Sequence, residues 1–280
     1  MLMLMPSKAL FCLLSLCLYF NGRTQTPYGD NKAAGHYLDT RGFKMYYETY
    51  GQGAPLLMLH MNGESIKVFA NQIPYFSRHY RVIAVDTRAH GKSVDTRDSL
   101  TFEMMADDVN ALLDSLHLDS CYVIGWSDGG ISALLLALRH PEKVKKMVVS
   151  GPNLWPDTTG VAPYIYHYME KEADSLRHHP LTAAGKNLLK TTELDLYQPH
   201  ITLEQLHAIR CPTLVVGGDH DGIPSLHLWQ IQQNIPQSYL WIVPNSGHSV
   251  VIYKKDQFNP LVNDFFNQPY RKIEGLNLLQ

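Results

Sequence analysis

One serine in this sequence has the neighbours that a nucleophile requires. Ser127 lies between Gly125 and Gly129, with Gly130 next, and it follows the apolar stretch Cys121–Trp126 and precedes a helix-like stretch. A sharp turn from strand to helix leaves no room for side chains two residues before or after the serine, which explains both glycines. The turn also places the hydroxyl at a helix N-terminus, where backbone N–H groups favour an anion. We therefore predict that Ser127 is a nucleophile.

A serine hydroxyl needs a base to take its proton, and partners for it follow later in the chain. His248 comes after the apolar stretch 239–243, while Asp219 and Asp221 come after the apolar stretch 213–217. Each group therefore follows a predicted strand, at the edge where the active sites of open α/β sheets collect. We predict His248 as the base and Asp221 as the acid, because Asp221 lies midway between the glycine and the proline that bound its loop. Asp219 is the alternative acid, and the aspartate that is not used should cap the loop or the next helix.

Alternating strands and helices are predicted to position these groups. A hairpin covers residues 35–50, and further short apolar stretches indicate strands at 56–60, 80–87, 121–126, 146–150, 213–217 and 239–243. Helix-like stretches lie between or after them, at 65–78, 101–116, 131–139, 225–233 and 258–266, and Pro74 is expected to end the helix in the first of these. Thr101 is the candidate N-cap of the second of these helices. Strands buried on both faces, with helices between them, indicate a parallel sheet in an α/β fold.

One segment interrupts this alternation. Residues 153–200 contain no good strand, but they contain two helix-like pieces, 162–176 and 181–194. An insertion of this length predicts a helical lid, with an ordinary pair of packing helices as the alternative. We expect the lid to divide one sheet domain into two parts, residues 25–152 and 201–280.

The composition excludes several classes of protein. The chain has 24 Lys and Arg residues against 26 Asp and Glu residues, so it has no basic excess with which to bind nucleic acid. A hydrophobic content of 45% is too high for a disordered chain. No C-x-x-C, H-E-x-x-H or other metal-ligand spacing occurs, so the sequence predicts neither a metal nor a cofactor. It leaves the oligomeric state open.

The first 20 residues have the features of an export signal. Lys8 precedes an apolar run over residues 9–20, which is 12 residues long. A membrane-spanning helix needs about 20 such residues, and a signal peptide needs roughly 7–15. We expect residues 1–24 to be a signal peptide and the mature protein to be periplasmic or secreted, without stable membrane insertion. Lipidation at Cys17 is a minor alternative, because Leu16 is not the small residue that a lipoprotein site requires.

The sequence resembles the α/β-hydrolases over roughly residues 36–270. The motifs that carry the resemblance are Leu59-His60-Met61-Asn62-Gly63, the segment 86–93 (DTRAHGKS), the segment 125–130 (GWSDGG), the segment 218–224 (GDHDGIP) and Gly247-His248. The resemblance implies a mostly parallel eight-stranded sheet flanked by helices, with a small lid. It also implies an oxyanion hole formed by the N–H groups of Asn62 and Asp128. The sequence departs from the family at Met61 and Ala89, where glycine is usual.

The Gly-Trp-Ser-Asp-Gly-Gly elbow is similar to that of the valacyclovir-hydrolase, or biphenyl-hydrolase-like, branch. In that branch the residue after the serine faces the pocket, which implies that Asp128 pairs with a cationic amino group of the substrate. The alternative is that Asp128 only stabilises the first helical turn. We expect Trp126, Met61 and Trp155 to contact the substrate, with the lid tyrosines Tyr164, Tyr166 and Tyr168 as further candidates. Packing between lid and core is the alternative role for the tryptophans and tyrosines.

These residues together predict a serine hydrolase that cleaves a carboxylic ester, or a related acyl bond, of a small substrate. Ser127 attacks, His248 takes and returns the proton, and Asp221 orients His248 and stabilises its cation. The same triad also fits a C–C bond hydrolase, a peptidase or a perhydrolase. A binding or receptor protein on the same fold is the remaining alternative.

The implied fold also answers whether Cys121 and Cys211 pair. It separates their strands by a third strand, so the two residues lie about 9–10 Å apart. A disulfide requires Cα atoms within about 7 Å. We therefore predict two free, buried thiols.

Overall fold

The computed structural model describes residues 26–179 and 181–272, so the predicted signal peptide lies outside the described residues. The strands are β1 Gly35–Thr40, β2 Phe43–Tyr50, β3 Ala54–Leu59, β4 Tyr80–Val85, β5 Cys121–Trp126, β6 Val144–Ser150, β7 Thr213–Gly218 and β8 Ser238–Val243. The α-helices are α1 Ile73–Phe76, α2 Phe102–Ser115, α3 Asp128–Arg139, α4 Pro163–Arg177, α5 Ala183–Tyr197, α6 Leu203–Leu206, α7 Ser225–Asn234, α8 Val250–Tyr253 and α9 Lys255–Asn267. Short 3₁₀ turns occur at Ile66–Phe69 and Pro141–Lys143.

The strands form one sheet in the order β1-β2-β4-β3-β5-β6-β7-β8. β2 pairs antiparallel with β1 and with β4, and every other pair is parallel. The predicted mostly parallel, eight-stranded α/β sheet is therefore confirmed. The predicted hairpin is β1–β2, whose turn places Arg41 and Gly42 at positive φ, as the twist of a two-residue hairpin requires.

Two hydrophobic clusters cover the two faces of the sheet. On one face, β-strand side chains pack with apolar residues of α2, α3 and α7, such as Leu112, Leu134 and Leu228. On the other face they pack with residues of α1, α8 and α9, such as Phe76 and Phe258. Strands β3 to β7 are therefore mostly buried on both sides, which accounts for their apolar sequences. The predicted cap of α2 is present, since the Thr101 hydroxyl accepts a hydrogen bond from Met104 N–H at 3.1 Å.

The predicted helix over residues 65–78 is absent as a single element. The segment instead contains the 3₁₀ turn Ile66–Phe69 and the short helix α1. Pro74 lies in the first turn of α1, where its missing N–H breaks no helical hydrogen bond, so the proline begins a helix rather than ending one. Ile66 N–H, in the first position of the 3₁₀ turn, has no acceptor within that turn and donates to buried Asp86 at 2.8 Å.

Residues 153–200 contain two helices close to the predicted pieces. They are α4 and α5, which pack against each other and begin and end within three residues of the predicted bounds. Arg177 at the end of α4 pairs with Glu193 of α5 at 2.7 Å. A hydrogen bond from Ala162 N–H to the Gly222 carbonyl, 2.7 Å long, ties the start of α4 to the loop after β7.

Two further observations concern the described part of the chain. None of its helices combines the length and the apolar character that crossing a membrane requires. Cys121 and Cys211 are free and buried on either side of β6, which confirms the prediction of two unpaired thiols. Burial raises the pKa of the Cys121 thiol to about 12 and that of the Cys211 thiol to about 11.

Candidate active site

The parallel strands all end at the same edge of the sheet, and the predicted site residues lie there. The loop after β3 carries Asn62, the turn after β5 carries Ser127, and the loops after β7 and β8 carry Asp221 and His248. A cavity of about 320 Å³ opens at this edge, beneath the α4–α5 pair. It is lined by Ser127, Asp128, Asn153, Val161, Tyr164, Ile165, Met169, Asp195, His220, Gly222, Ile223, Gly247 and His248.

Ser127 has the strained backbone that a sharp strand-to-helix turn imposes. Its φ is 54° and its ψ is −117°, which is a rare conformation for a residue other than glycine. A Cβ atom at Gly125 would collide with the Gly129 carbonyl, and one at Gly129 would collide with the Leu59 carbonyl. Both glycines are therefore required by packing, as the sequence predicts. The turn is fixed by a 2.8 Å hydrogen bond from Ser127 N–H to the Ser150 carbonyl.

His248 is held by Asp221. His248 Nδ1 lies 2.7 Å from Asp221 Oδ1, and the side chain of Asp221 is only 1% exposed. Asp221 Oδ1 also accepts a hydrogen bond from Ile223 N–H at 3.0 Å, which fixes the carboxylate. Because Nδ1 is engaged, Nε2 is the ring nitrogen left to take a proton. The histidine is 27% exposed and shares the cavity with Ser127.

The structure separates the two candidate acids. Asp219 Oδ1 accepts a hydrogen bond from Ser246 N–H at 3.0 Å and lies 2.9 Å from His220 Nδ1. The hydrogen bond from Ser246 N–H, followed by the one to His220, lowers the pKa of the Asp219 carboxyl. Asp219 therefore holds the loops after β7 and β8 together, whereas Asp221 contacts His248.

Gly151, which follows β6, is a site residue that the sequence analysis missed. Its φ is +61°, and a Cβ atom there would lie 2.8 Å from His248 Cε1 and 3.4 Å from Asp221 Oδ2. Only glycine leaves room for the histidine at this point. A feature of the sequence that could have revealed Gly151 is its position as a glycine directly after the buried strand β6, which pairs with β5.

The turn after β3 is linked to the lid through Asn62. The Asn62 side-chain Nδ2 donates to the Thr191 carbonyl at 2.9 Å and to Asp195 Oδ2 at 2.7 Å, both on α5. Its Oδ1 lies 3.1 Å from His90 Nε2. The sequence analysis assigned only the backbone N–H of Asn62. The second expected donor, the N–H of Asp128, belongs to the first residue of α3, where no helical carbonyl is available to accept it.

Comparison with known proteins identifies the family. Residues 54–174 match the family model described as alpha/beta hydrolase fold. The serine hydrolase BPHL of Mus musculus is 31% identical over 245 residues, covering 80% of this chain and 83% of the relative. The chain belongs to the α/β-hydrolase family. The resemblance inferred from the motifs is therefore confirmed, including its likeness to the biphenyl-hydrolase-like branch.

Other α/β-hydrolases that match differ in the reactions their names describe. The 2-hydroxymuconate semialdehyde hydrolase of Pseudomonas sp. strain CF600 is 26% identical, with 82% of this chain and 93% of the relative covered. Est816, described as an N-acyl homoserine lactone degrading enzyme, superposes with a TM-score of 0.68 at 25% identity, covering 82% of this chain and all of Est816. The carboxylesterase CesB of Bacillus subtilis has a TM-score of 0.68 at 22% identity, covering 83% and 90%, and shows the fold alone. Family membership therefore establishes a hydrolase without fixing the bond that it cleaves.

An acidic pair in this α/β-hydrolase also escaped the sequence analysis. Asp128, next to Ser127, and Asp195, on helix α5, lie within hydrogen-bond distance of each other in the cavity wall. Asp128 is 4% exposed, and burial together with the negative charge of Asp195 raises its pKa well above the usual range. Burial also raises the pKa of Asp195 to about 6. Asp195 is 67 positions from Asp128 in the sequence, so no local motif could have revealed the pair.

The structure corrects the expected positions of three substrate-contact candidates, none of which lines the cavity. The Trp126 side chain is buried on the face of the sheet that packs against α1, α8 and α9. Its Nε1 donates a hydrogen bond to the His248 carbonyl at 3.0 Å. Trp155 packs edge-on against His227, with ring centroids 4.6 Å apart. Met61 is partly buried against the same sheet face as Trp126. Of the lid tyrosines, Tyr164 lines the cavity, whereas Tyr166 and Tyr168 do not.

The two departures from the family pattern have different consequences. Ala89 has a φ of 66°, so it adopts the left-handed conformation that glycine favours, at a strain cost of about 1 kcal/mol. Met61 has no positive φ, so its side chain is accommodated without that strain. The preceding His60 hydrogen-bonds locally, with Nδ1 2.7 Å from the Met61 carbonyl and Nε2 accepting from Thr87 N–H. Burial lowers the pKa of His60 to about 3, which keeps it neutral.

Within the described residues there is no group of three or more His, Cys, Asp or Glu side chains placed to hold a metal ion. The polar groups that line the cavity include a serine, a histidine held by an aspartate, and the acidic pair. This arrangement supports nucleophilic attack on a carbonyl carbon, with polar recognition by the acidic pair in the same cavity.

Proposed function

We propose that this α/β-hydrolase is a serine esterase, which cleaves carboxylic ester or related acyl bonds of a small substrate through an acyl-enzyme. The observation that carries the proposal is the cavity shared by strained Ser127 and His248, whose Nδ1 is held by Asp221. This set is what converts a weakly nucleophilic hydroxyl into an attacking group.

In the proposed reaction Ser127 Oγ attacks the carbonyl carbon of the substrate and its proton moves to His248 Nε2. Asp221 stabilises the resulting cation through Nδ1. The N–H groups of Asp128 and Asn62 donate to the oxyanion. His248 then protonates the leaving alcohol, and a water molecule, deprotonated by His248, releases the acid from Ser127.

The walls of the cavity limit the substrate. Val161, Ile165 and Met169 of the lid segment and Ile223 of the core provide an apolar surface, and a volume of about 320 Å³ fits a small molecule. No lysine or arginine is present among the described residues that line the cavity, and two aspartates are. A substrate carboxylate would therefore meet negative charge without a cationic partner. These features favour neutral or cationic esters over anionic substrates.

C–C bond hydrolysis is the second candidate reaction. It is favoured by relatives such as the 2-hydroxy-6-oxo-6-phenylhexa-2,4-dienoate hydrolase of Burkholderia cepacia, which is 26% identical. The name of that relative describes an anionic substrate. Because the acidic pair of the present cavity opposes an anion, we place ester cleavage first.

The acidic pair also favours a substrate that carries an amino group, such as an α-amino-acid ester. The family branch implies amino recognition at Asp128, and the position of both aspartates in the cavity wall supports amino recognition by the pair. Equal kcat/KM values for an amino-acid ester and its N-acetylated form would exclude it.

A panel of esters with increasing acyl length tests the proposal. We expect hydrolysis of short and medium acyl esters by the wild type and a loss of roughly 10⁶-fold in kcat for Ser127→Ala. Ser115→Ala is the matched control, because this hydroxyl lies at the end of α2 and bonds only within its own helix. Full activity of Ser127→Ala would refute the proposal.

A further inference from the structure

The acidic pair consists of two carboxyl groups that cannot both be charged without a large penalty. Asp128 Oδ2 and Asp195 Oδ1 are buried, and no N–H or O–H donor of another described residue reaches either atom. Two carboxylates in contact, without a cation between them, repel each other strongly in a buried site. One shared proton removes this repulsion and supplies the missing donor.

The hydrogen bonds around the pair show which carboxyl group keeps the charge. Asp195 Oδ2 accepts a 2.7 Å hydrogen bond from Asn62 Nδ2, and Asn62 is itself fixed by the Thr191 carbonyl and His90. Asp128 receives no hydrogen bond from the side chain of another described residue. A charged carboxylate needs donors. The proton therefore belongs on Asp128, which donates to Asp195.

No other charged side chain described on α5 or in the cavity wall is an alternative carrier of this negative charge. On α5, Glu193 pairs with Arg177 and Lys190 bonds to carbonyls of the loop that contains Asp95, so neither faces the pair. His248, His220 and Tyr164 are the other titratable residues that line the cavity, and His90 contacts Asn62. Burial lowers the pKa of His90, so that ring is neutral. Among the described residues that line the cavity, Asp128 and Asp195 are the only acidic ones, and one shared proton leaves them a single net charge.

We propose that Asp195, rather than Asp128, carries the negative charge that binds a cationic amino group of the substrate, and that Asp128 is its protonated partner. The proposal rests on the serine hydrolase function proposed above. One ammonium group neutralises the single charge of the pair, so binding at neutral pH neither releases nor takes up a proton. Asp195 is thus a specificity-determining residue supplied by the lid.

Two isosteric variants separate the roles of the two carboxyl groups. The substrates are alanine benzyl ester and its N-acetyl derivative at pH 7, and the measured quantity is the ratio of their kcat/KM values. We expect a wild-type ratio between about tenfold and a hundredfold in favour of the free amine, the range of a hydrogen bond to a charged group. Asp195→Asn should reduce this ratio to about one. Asp128→Asn should keep it, because the amide N–H still donates to Asp195. Glu193→Gln is the control on the same helix and should keep the wild-type ratio.

The opposite result, with the ratio lost in Asp128→Asn and kept in Asp195→Asn, would assign the charge to Asp128 and overturn the proposal. A wild-type ratio near one, with both esters hydrolysed in a Ser127-dependent way, would overturn it and leave the esterase function standing. If neither ester is hydrolysed, the esterase function fails separately.

If neither ester is hydrolysed, the binding of non-hydrolysed amides still tests the role of Asp195. In titration calorimetry, alaninamide should bind the wild type at least about tenfold more tightly than N-acetylalaninamide, and Asp195→Asn should remove the difference. The preference should also weaken below pH 6, where Asp195 becomes protonated. Equal binding of the two amides by the wild type would overturn the proposal. Thermal melts identify any variant that fails to fold.

Discussion

Replacing Asp195 with asparagine should make the protein more resistant to unfolding at alkaline pH. Burial raises the pKa of this carboxyl to about 6 in the folded chain, compared with about 3.9 for an unfolded aspartate. The folded state therefore binds a proton more tightly than the unfolded state does. This contribution to stability is complete below pH 4 and is lost as the pH rises through 6.

The size of the effect follows from the difference between the two pKa values. Two pKa units correspond to about 3 kcal/mol of unfolding free energy between pH 4 and pH 8. Asparagine does not titrate, so the variant should lack this part of the pH dependence. For a domain of this length, about 3 kcal/mol corresponds to a shift in melting temperature of roughly 6–12 °C.

The assay is thermal or urea unfolding of wild type, Asp195→Asn and the control Glu193→Gln at several values between pH 4 and pH 8. We expect the difference in stability between Asp195→Asn and wild type to shift in favour of the variant as the pH rises, while the control follows the wild type. A stability difference between Asp195→Asn and wild type that stays constant from pH 4 to pH 8 would refute a raised pKa for the buried Asp195 carboxyl.

Three further predictions concern other parts of the protein. In steady-state kinetics, Asp221→Asn should lower kcat by about 10⁴-fold, whereas Asp219→Asn in the same loop should lower it by less than about tenfold. Equal losses of kcat in the two variants would contradict the different roles assigned to these aspartates. Gly151→Ala should displace His248 and lower kcat by about 10²-fold without changing which esters are hydrolysed, since its Cβ would contact the ring; an unchanged kcat would contradict this. Alkylation of the unreduced protein should label Cys121 and Cys211 only after denaturation, because both thiols are buried, and mass spectrometry should show those two labels. The same mass measurement should show the loss of about 24 N-terminal residues if residues 1–24 are a cleaved signal peptide, as we propose.

The parts of the site that the sequence predicted are carried by local patterns. The turn around Ser127 needs glycine two residues away on each side, and the structure shows the collisions that glycine avoids. The strands that precede Ser127 and Asp221 have continuous apolar sequences because both their faces are buried, and the edge strand β8 that precedes His248 is partly buried. Their order along the chain, together with parallel pairing, was enough to place these three residues at one edge of the sheet.

The parts that the sequence did not predict depend on contacts between distant segments. The hydrogen bond between Asn62 and Asp195 joins residues 133 positions apart, and its geometry depends on how the lid packs on the core. Trp126 was expected to contact the substrate, but the alternation of side chains along β5 directs it to the sheet face that packs against α1, α8 and α9. Pro74 was interpreted as the end of a helix, although a proline also fits the first turn of a new one.

Active-site labelling tests the central claim most directly. A fluorophosphonate reacts with an activated serine and remains attached, so the labelled protein can be digested and the modified residue identified by mass spectrometry. We predict one modified residue, Ser127, with no labelling in Ser127→Ala and much slower labelling in His248→Ala. A folded wild-type protein that stays unlabelled, or a label that persists in Ser127→Ala, would contradict the account.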